Sequence, residues 1–186
     1  GAKRIAERIA FESEYEGAWQ TLPAAIVDRL AGGGYDVILK FGLGLMRVPP
    51  AERLATPILS WHHGDPEHYR GRPAGFYEML EGAPAMGQIV QILANQLDAG
   101  RVVAFAETRV LPHSYRATLI ESYRHSPFLI ERAIRNAIAG TPLEKPPGGR
   151  NYRLPSNAVV LRFAARMARS WLSRLAYGAL FEKKWR

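Results

Sequence analysis

A short apolar run, Pro57-Ile58-Leu59-Ser60-Trp61, passes directly into His62-His63-Gly64-Asp65-Pro66, and a further carboxylate follows in Leu97-Asp98-Ala99-Gly100. An imidazole titrates near neutrality, so it can donate a hydrogen bond or relay a proton. A carboxylate brought beside it favours the imidazolium and can take a proton itself. The loops beyond the carboxyl ends of strands are where open α/β sheets handle ligands, and the apolar run reads as such a strand. Between the two groups lies Tyr69-Arg70-Gly71-Arg72-Pro73. Two guanidiniums in a Gly/Pro loop suit a phosphate or carboxylate; a solvated loop with an arginine stacked on the tyrosine accounts for them equally well. His63, Asp65 and His68 are metal-ligand types. Successive residues of a strand point in opposite directions, however, and Asp65-Pro66 is more simply a turn former, so no metal is expected.

In order and spacing, Ser60-Trp61-His62, Tyr69-Arg70-Gly71 and Leu97-Asp98-Ala99-Gly100 resemble the catalytic region of the folate-dependent formyltransferases. That family includes glycinamide ribonucleotide transformylase, methionyl-tRNA formyltransferase and the sugar N-formyltransferases. Its pattern is Asn-x-His at a strand end, a Tyr/Phe-Arg/Lys-Gly loop, and an aspartate inside a Leu-Asp-x-Gly turn. His62 and Asp98 take the histidine and aspartate positions, while Ser60 stands where the family usually has asparagine. A serine offers one short hydroxyl donor in place of an amide NH2, so either Ser60 itself stabilises a formyl oxygen, or His63 contributes, or the chemistry is slowed.

The resemblance implies formyl transfer from N10-formyltetrahydrofolate, as co-substrate, to an amine on an amino sugar or sugar nucleotide. It implies His62, Asp98 and Ser60 as catalytic residues. Phe41, Gly42, Leu43, Gly44, Leu45, Met46 and Leu97 would then hold the folate, and His63, Tyr69, Arg70, Gly71 and Arg72 the amine substrate. From the residues alone, Gly42–Met46 is equally well a plain turn after a buried strand.

The elements that must position these groups are expected as follows. Residues 1–31 read as helix, with Thr21 an N-cap and Pro23 in the first turn, ended by Gly32-Gly33-Gly34. Tyr35–Phe41 is a continuous β-rich run, the signature of a strand buried on both faces. Thr56–Trp61 is the next strand, 66–71 a polar loop, and Gly75–Glu81 a helix. Met86–Leu93 and Arg101–Thr108 form an antiparallel pair around the turn at 96–100. Ser114–Ala139 is helical, with Pro127 expected to split it. Thr141–Asn151 is a Pro/Gly-rich connector, and Ser156–Phe181 the longest helix, with arginines interleaved among apolar positions.

The expected fold class is therefore α/β, an incomplete Rossmann-like formyltransferase sheet of about four strands flanked by helices, with a long basic C-terminal helix. The expected divisions are an N-terminal helical segment at 1–34, a catalytic core at 35–140, a connector at 141–155 and the basic helix at 156–186. The resemblance spans roughly 22–135, and no strand is expected before Tyr35. The family's opening strands are absent on this reading, so the chain is expected to be a fragment or to need a partner, whether the rest of a longer chain or a second copy.

Composition narrows the alternatives. A chain of 186 residues, 47% of them apolar, is long enough for one domain with a core. It has no cysteine, which excludes disulfides and thiolate metal sites. No apolar run is long enough to span a membrane and no signal-peptide core is visible, so a cytoplasmic protein is the default expectation. The net charge is +8, and from Arg150 onward nine cationic residues face the single acid Glu182, which accounts for all of it. A basic tail favours RNA or an anionic membrane surface, and serves equally as a solubilising face. Two rivals to the enzyme follow: a formyltransferase-like binding module without catalysis, and an RNA- or anionic-surface-binding protein using the basic helix.

Overall fold

Residue types with strong β preference meet two-residue periodicity in the middle of the chain, and there a four-stranded sheet forms. The computed structural model describes residues 7–95, 100–143 and 148–184, with side chains described as far as 176. The sheet is ordered β3 (Ile38–Lys40), β5 (Ile58–His62), β7 (Ala85–Ile92), β8 (Arg101–Arg109). β3 and β5 run parallel, and β7 is antiparallel to both β5 and β8. Helix α3 (Tyr115–Ala139) covers one face, burying Leu129 and Ala133 against Leu59, Val90, Val103 and Ala104. Helix α1 (Ala24–Gly32) covers part of the other face, where Val27 packs with Leu22, Met46, Leu54 and Ile58. A third cluster joins helix α2 (Phe76–Glu81), the start of β7 and helix α4 (Asn157–Lys184) through Phe76, Met79, Met86, Val110 and Phe163. This α/β architecture, four strands flanked by helices with a long C-terminal helix, is the expected fold class.

Several elements differ from expectation, each for a physical reason. Residues 14–21, expected to be helical, form the hairpin β1 (Glu14–Glu16) and β2 (Trp19–Thr21). Gly17 at the turn has φ 60°, which closes a tight hairpin, and Tyr15, Trp19 and Thr21 are strand formers. β2 then pairs in parallel with β4 (Leu45–Met46), so part of the expected loop after Phe41 is a strand. The helix starts after Pro23, not Thr21, and no side chain caps it. The run Tyr35–Phe41 was expected to be buried on both faces. Only its centre is strand, and among the described residues β3 is a sheet edge, with Tyr35, Leu39 and Phe41 exposed.

Pro127 does not split α3, which runs unbroken through it. The proline sits on the exposed side, while Ser122 and Leu129 on either side of it are buried. Burial of the helix against the sheet offsets the roughly 3 kcal/mol that an interior proline costs. The expected loop and connector also pair with each other, as β6 (Tyr69–Gly71) and β9 (Arg150–Tyr152) in parallel. Neither segment alternates in hydrophobicity, so only the tertiary contact reveals the pairing.

In α4, Phe163, Val159 and Met167 pack inward. Two of the interleaved arginines also contact the body: Arg166 lies against Gly82, and Arg174 meets His113. No described helix is long and apolar enough to cross a membrane.

The sheet makes a stability contrast. Leu59 is 1% exposed beneath α3, whereas Leu39, on the neighbouring edge strand, is 39% exposed. Leu59→Ala is expected to lower unfolding free energy by about 3 kcal/mol. Leu39→Ala is expected to lower it by no more than about 1 kcal/mol. Urea unfolding of both variants checks the difference.

Candidate functional site

β5 fixes the site through simple alternation. Leu59 and Trp61 point into the α3 side, so Ile58, Ser60 and His62 point to the other. On that second face Ser60 lies beside Gln91 of β7 and Lys40 of β3, while His62 lies beside Ile89. Three polar side chains from three neighbouring strands thus stand in one row. All three line a cavity of about 180 Å³ whose walls also include Trp19, Gly44, Leu45, Met46, Leu93 and Gly100.

The walls of this cavity are built for close approach. A Cβ on Gly44 would lie 3.0 Å from the Gln20 amide nitrogen, and one on Gly100 would collide with the Ile92 carbonyl. The pairing of β7 with β8 slips by one residue at Val90/Gln91, a bulge that leaves Val103 without a ladder partner. The Val103 carbonyl is satisfied from outside the sheet, by the Asn136 amide at 2.7 Å. Gln91 beside the bulge is only 4% exposed, and its Oε1 accepts no hydrogen bond among the described residues. Lys40 has no carboxylate partner among them, and burial lowers its pKa.

A second, narrower cleft lies beyond the end of β5. It is lined by His63, Tyr69, Arg70, Gly71, Arg72, Tyr77, Glu78 and Tyr152. Tyr152 stacks on Tyr77, with ring centres 4.1 Å apart, and on Tyr69 at 5.7 Å. The hydroxyls of Tyr69 and Tyr152 donate to the two oxygens of Glu81, at 3.0 and 2.7 Å. Gly71 has φ 88°, and a Cβ there would strike the Tyr152 carbonyl, so the β6–β9 pairing that shapes this cleft requires glycine. Burial, and then Glu81, push the Tyr69 hydroxyl well above the ordinary tyrosine range and that of Tyr152 up to about 12. Burial raises Glu78 to about 7, reinforced by Glu81 and Asp65. Burial lowers His63 to about 4, with His62 adding to the shift.

The residues singled out from sequence therefore fall into two groups. Ser60 lines the larger cavity with Gly44, Leu45 and Met46. Leu43 packs into the core beside it, Gly42 supplies a positive φ, and Phe41 is exposed. His63, Tyr69, Arg70, Gly71 and Arg72 line the second cleft together. His62 ends β5 on the Ser60 face, with its ring against Gly64. Leu97 and Asp98 lie outside the described residues. Sequence reasoning passed over Lys40, Gln91 and Trp19 in the first group, and Tyr77, Glu78 and Tyr152 in the second. The only signal available was a polar residue interrupting an apolar strand, as Lys40 and Gln91 do.

Asp65, Glu67 and His68 bring three ligand-type atoms within 4.8 Å of one another. The Asp65 carboxylate is engaged locally. One oxygen accepts from the Glu67 amide at 3.1 Å, and the other lies 3.2 Å from His68 Nδ1. Those are the bonds of a turn opened by an aspartate, as Asp65-Pro66 leads one to expect.

No known family model matches the chain, and neither does any curated protein. Solved structures do. WlaRD, a sugar 3N-formyltransferase determined in the presence of dTDP and 5-N-formyl-THF, matches with a TM-score of 0.51 at 10% identity, covering 72% of this chain and 52% of its own. A 4-N formyltransferase from Francisella tularensis matches with a TM-score of 0.52 at 13% identity, covering 74% and 62%. A variant of HypX from Aquifex aeolicus matches with a TM-score of 0.50 at 18% identity, covering 69% and 26%. The chain thus spans about a quarter of HypX and between half and two thirds of the other two. At these identities the likeness establishes a formyltransferase-type fold.

Two groups in the second cleft give opposite pH dependences. Glu78 ionises near 4.5 in the unfolded chain but near 7 when folded, so its contribution to stability falls as pH rises between those values. His63 takes its proton near 6.5 unfolded but near 4 folded, so its contribution grows as pH rises between those values. From pH 4.5 to 6.5 the two oppose each other. In that window, stability of Glu78→Gln is expected to rise with pH, and stability of His63→Phe to fall, by up to roughly 1.4 kcal/mol per pH unit relative to the unmodified chain. Urea unfolding across the window measures both slopes.

Proposed function

We propose that this protein transfers a formyl group from N10-formyltetrahydrofolate to an amine carried by an amino sugar or sugar nucleotide. One observation carries the proposal: the loop at 44–46, the polar strand position Ser60 and the glycine at 100 all converge on one cavity. Ser60 and Gly100 belong to two of the motifs that resemble the formyltransferases, and 44–46 is the loop that the resemblance implies for folate. The fold likeness to a sugar 3N-formyltransferase and a 4-N formyltransferase supports the same reaction class.

The cavity fits one end of a folate. Leu45, Leu93 and Trp19 offer apolar surface for a flat ring, and Gly44 and Gly100 allow the backbone to approach it. The bound folate supplies the activated formyl group. His62 follows Ser60 on the same face of β5 and donates toward the formyl oxygen or relays a proton. Asp98 is the proposed acceptor of the amine proton. Arg70 and Arg72, in the adjoining cleft with Tyr69, suit the phosphates of a sugar nucleotide.

Calorimetric titration with a hydrolysis-stable N10-formyl folate analogue tests this reading. Saturable binding is expected, with formyl transfer to an amino sugar nucleotide lowered about a hundredfold to a thousandfold in His62→Ala and Asp98→Asn. Failure of the folded chain to bind the analogue at millimolar concentration would exclude the reaction.

A further inference from the structure

Resting on the formyl-transfer reading, we propose that Lys40 is a further catalytic residue, whose ammonium donates to the formyl oxygen from the position next to Ser60. The register carries the argument. Lys40 on β3, Ser60 on β5 and Gln91 on β7 are consecutive neighbours across the sheet, point to one face and line one cavity. They present two donors beside one acceptor. A carbonyl oxygen with a nitrogen-bound hydrogen next to it is the group that complements such a row.

The chemistry assigns each member a task. The amine nitrogen bonds to the formyl carbon while the carbonyl pair moves onto oxygen, where Lys40 and the Ser60 hydroxyl donate hydrogen bonds. Gln91 Oε1 accepts from the remaining N–H of the incoming amine and so aims its lone pair. The oxygen's pair then re-forms the carbonyl as the bond from the formyl carbon to the donor nitrogen breaks. The proton lost by the amine ends on that departing nitrogen, so atoms and charge balance. An ammonium compensates for the asparagine amide that position 60 lacks. Lys40 is half-buried and no described carboxylate pairs with it, so an oxyanion developing in the cavity meets an ammonium not already held by a described acid. Gln91 marks the cavity independently, as a side chain more than nine-tenths buried whose oxygen has no donor among the described residues.

The test uses two probes, a stable N10-formyl dideazafolate and its deformylated parent, titrated into the whole chain, Lys40→Met and Lys40→Arg. Thermal unfolding confirms that each variant is folded. The unmodified chain is expected to prefer the formylated probe by about tenfold, the gain from one charge-assisted hydrogen bond. Lys40→Met loses the preference while still binding the parent, and Lys40→Arg retains it. Formyl transfer by Lys40→Met is expected to fall about a hundredfold in kcat with little change in KM, and adding Ser60→Asn restores most of it by returning an amide donor. Retention of both the preference and the turnover in folded Lys40→Met would overturn the role of Lys40 and leave formyl transfer standing. Binding of neither probe by the unmodified chain would overturn both.

Discussion

The alternation of β5 is the constraint on which the rest of the molecule depends. Leu59 must enter the core beneath α3, and that requirement places Ser60 and His62 on the opposite face. A slip of one residue would exchange the faces, taking Leu59 out of the cluster beneath α3 and setting a hydroxyl and an imidazole against that helix instead. The hydrophobic term that stabilises the sheet therefore also holds the chemistry-bearing residues in register with Lys40 and Gln91. Fold and site are specified by one pattern.

The polar groups inside the protein divide by how they are satisfied. Gln88 is fully buried and donates to the Ser122 carbonyl at 3.1 Å, fastening β7 to α3. Asn136 serves the carbonyl of the bulge residue Val103. These bonds offset desolvation and help fix the position of α3. Gln91, three residues further along the same strand and on its other face, is also buried, but its Oε1 is not satisfied among the described residues. An interior that satisfies one glutamine of the strand and not the other distinguishes framework from candidate site.

The second cleft rests on different forces. Three tyrosines stack, two of them donate to Glu81, and Glu78 is held in a buried position beside Glu81 and Asp65. Its walls come from segments 81 residues apart in sequence, joined by the β6–β9 pairing that Gly71 permits. Arg70 is consequently presented on a short strand and Arg72 directly after it, its amide donating to the Tyr152 carbonyl at 3.2 Å, with less freedom than a solvated loop would leave them.

By itself the sequence determined the fold class, the strands around 58–62, 85–92 and 101–109, and the two long helices, because each has a strong local period or a run of strand formers. It also singled out Ser60, Tyr69 and Arg70, whose residue types and spacing are chemical in character. The tertiary structure alone decided that β2 pairs with β4, that Pro127 sits within one helix, and that β6 finds β9. Those outcomes depend on what packs against each segment. For the same reason Lys40 and Gln91 were illegible as site residues: a polar residue in an apolar strand acquires its meaning from its neighbours on the adjacent strands, and register is a property of the sheet.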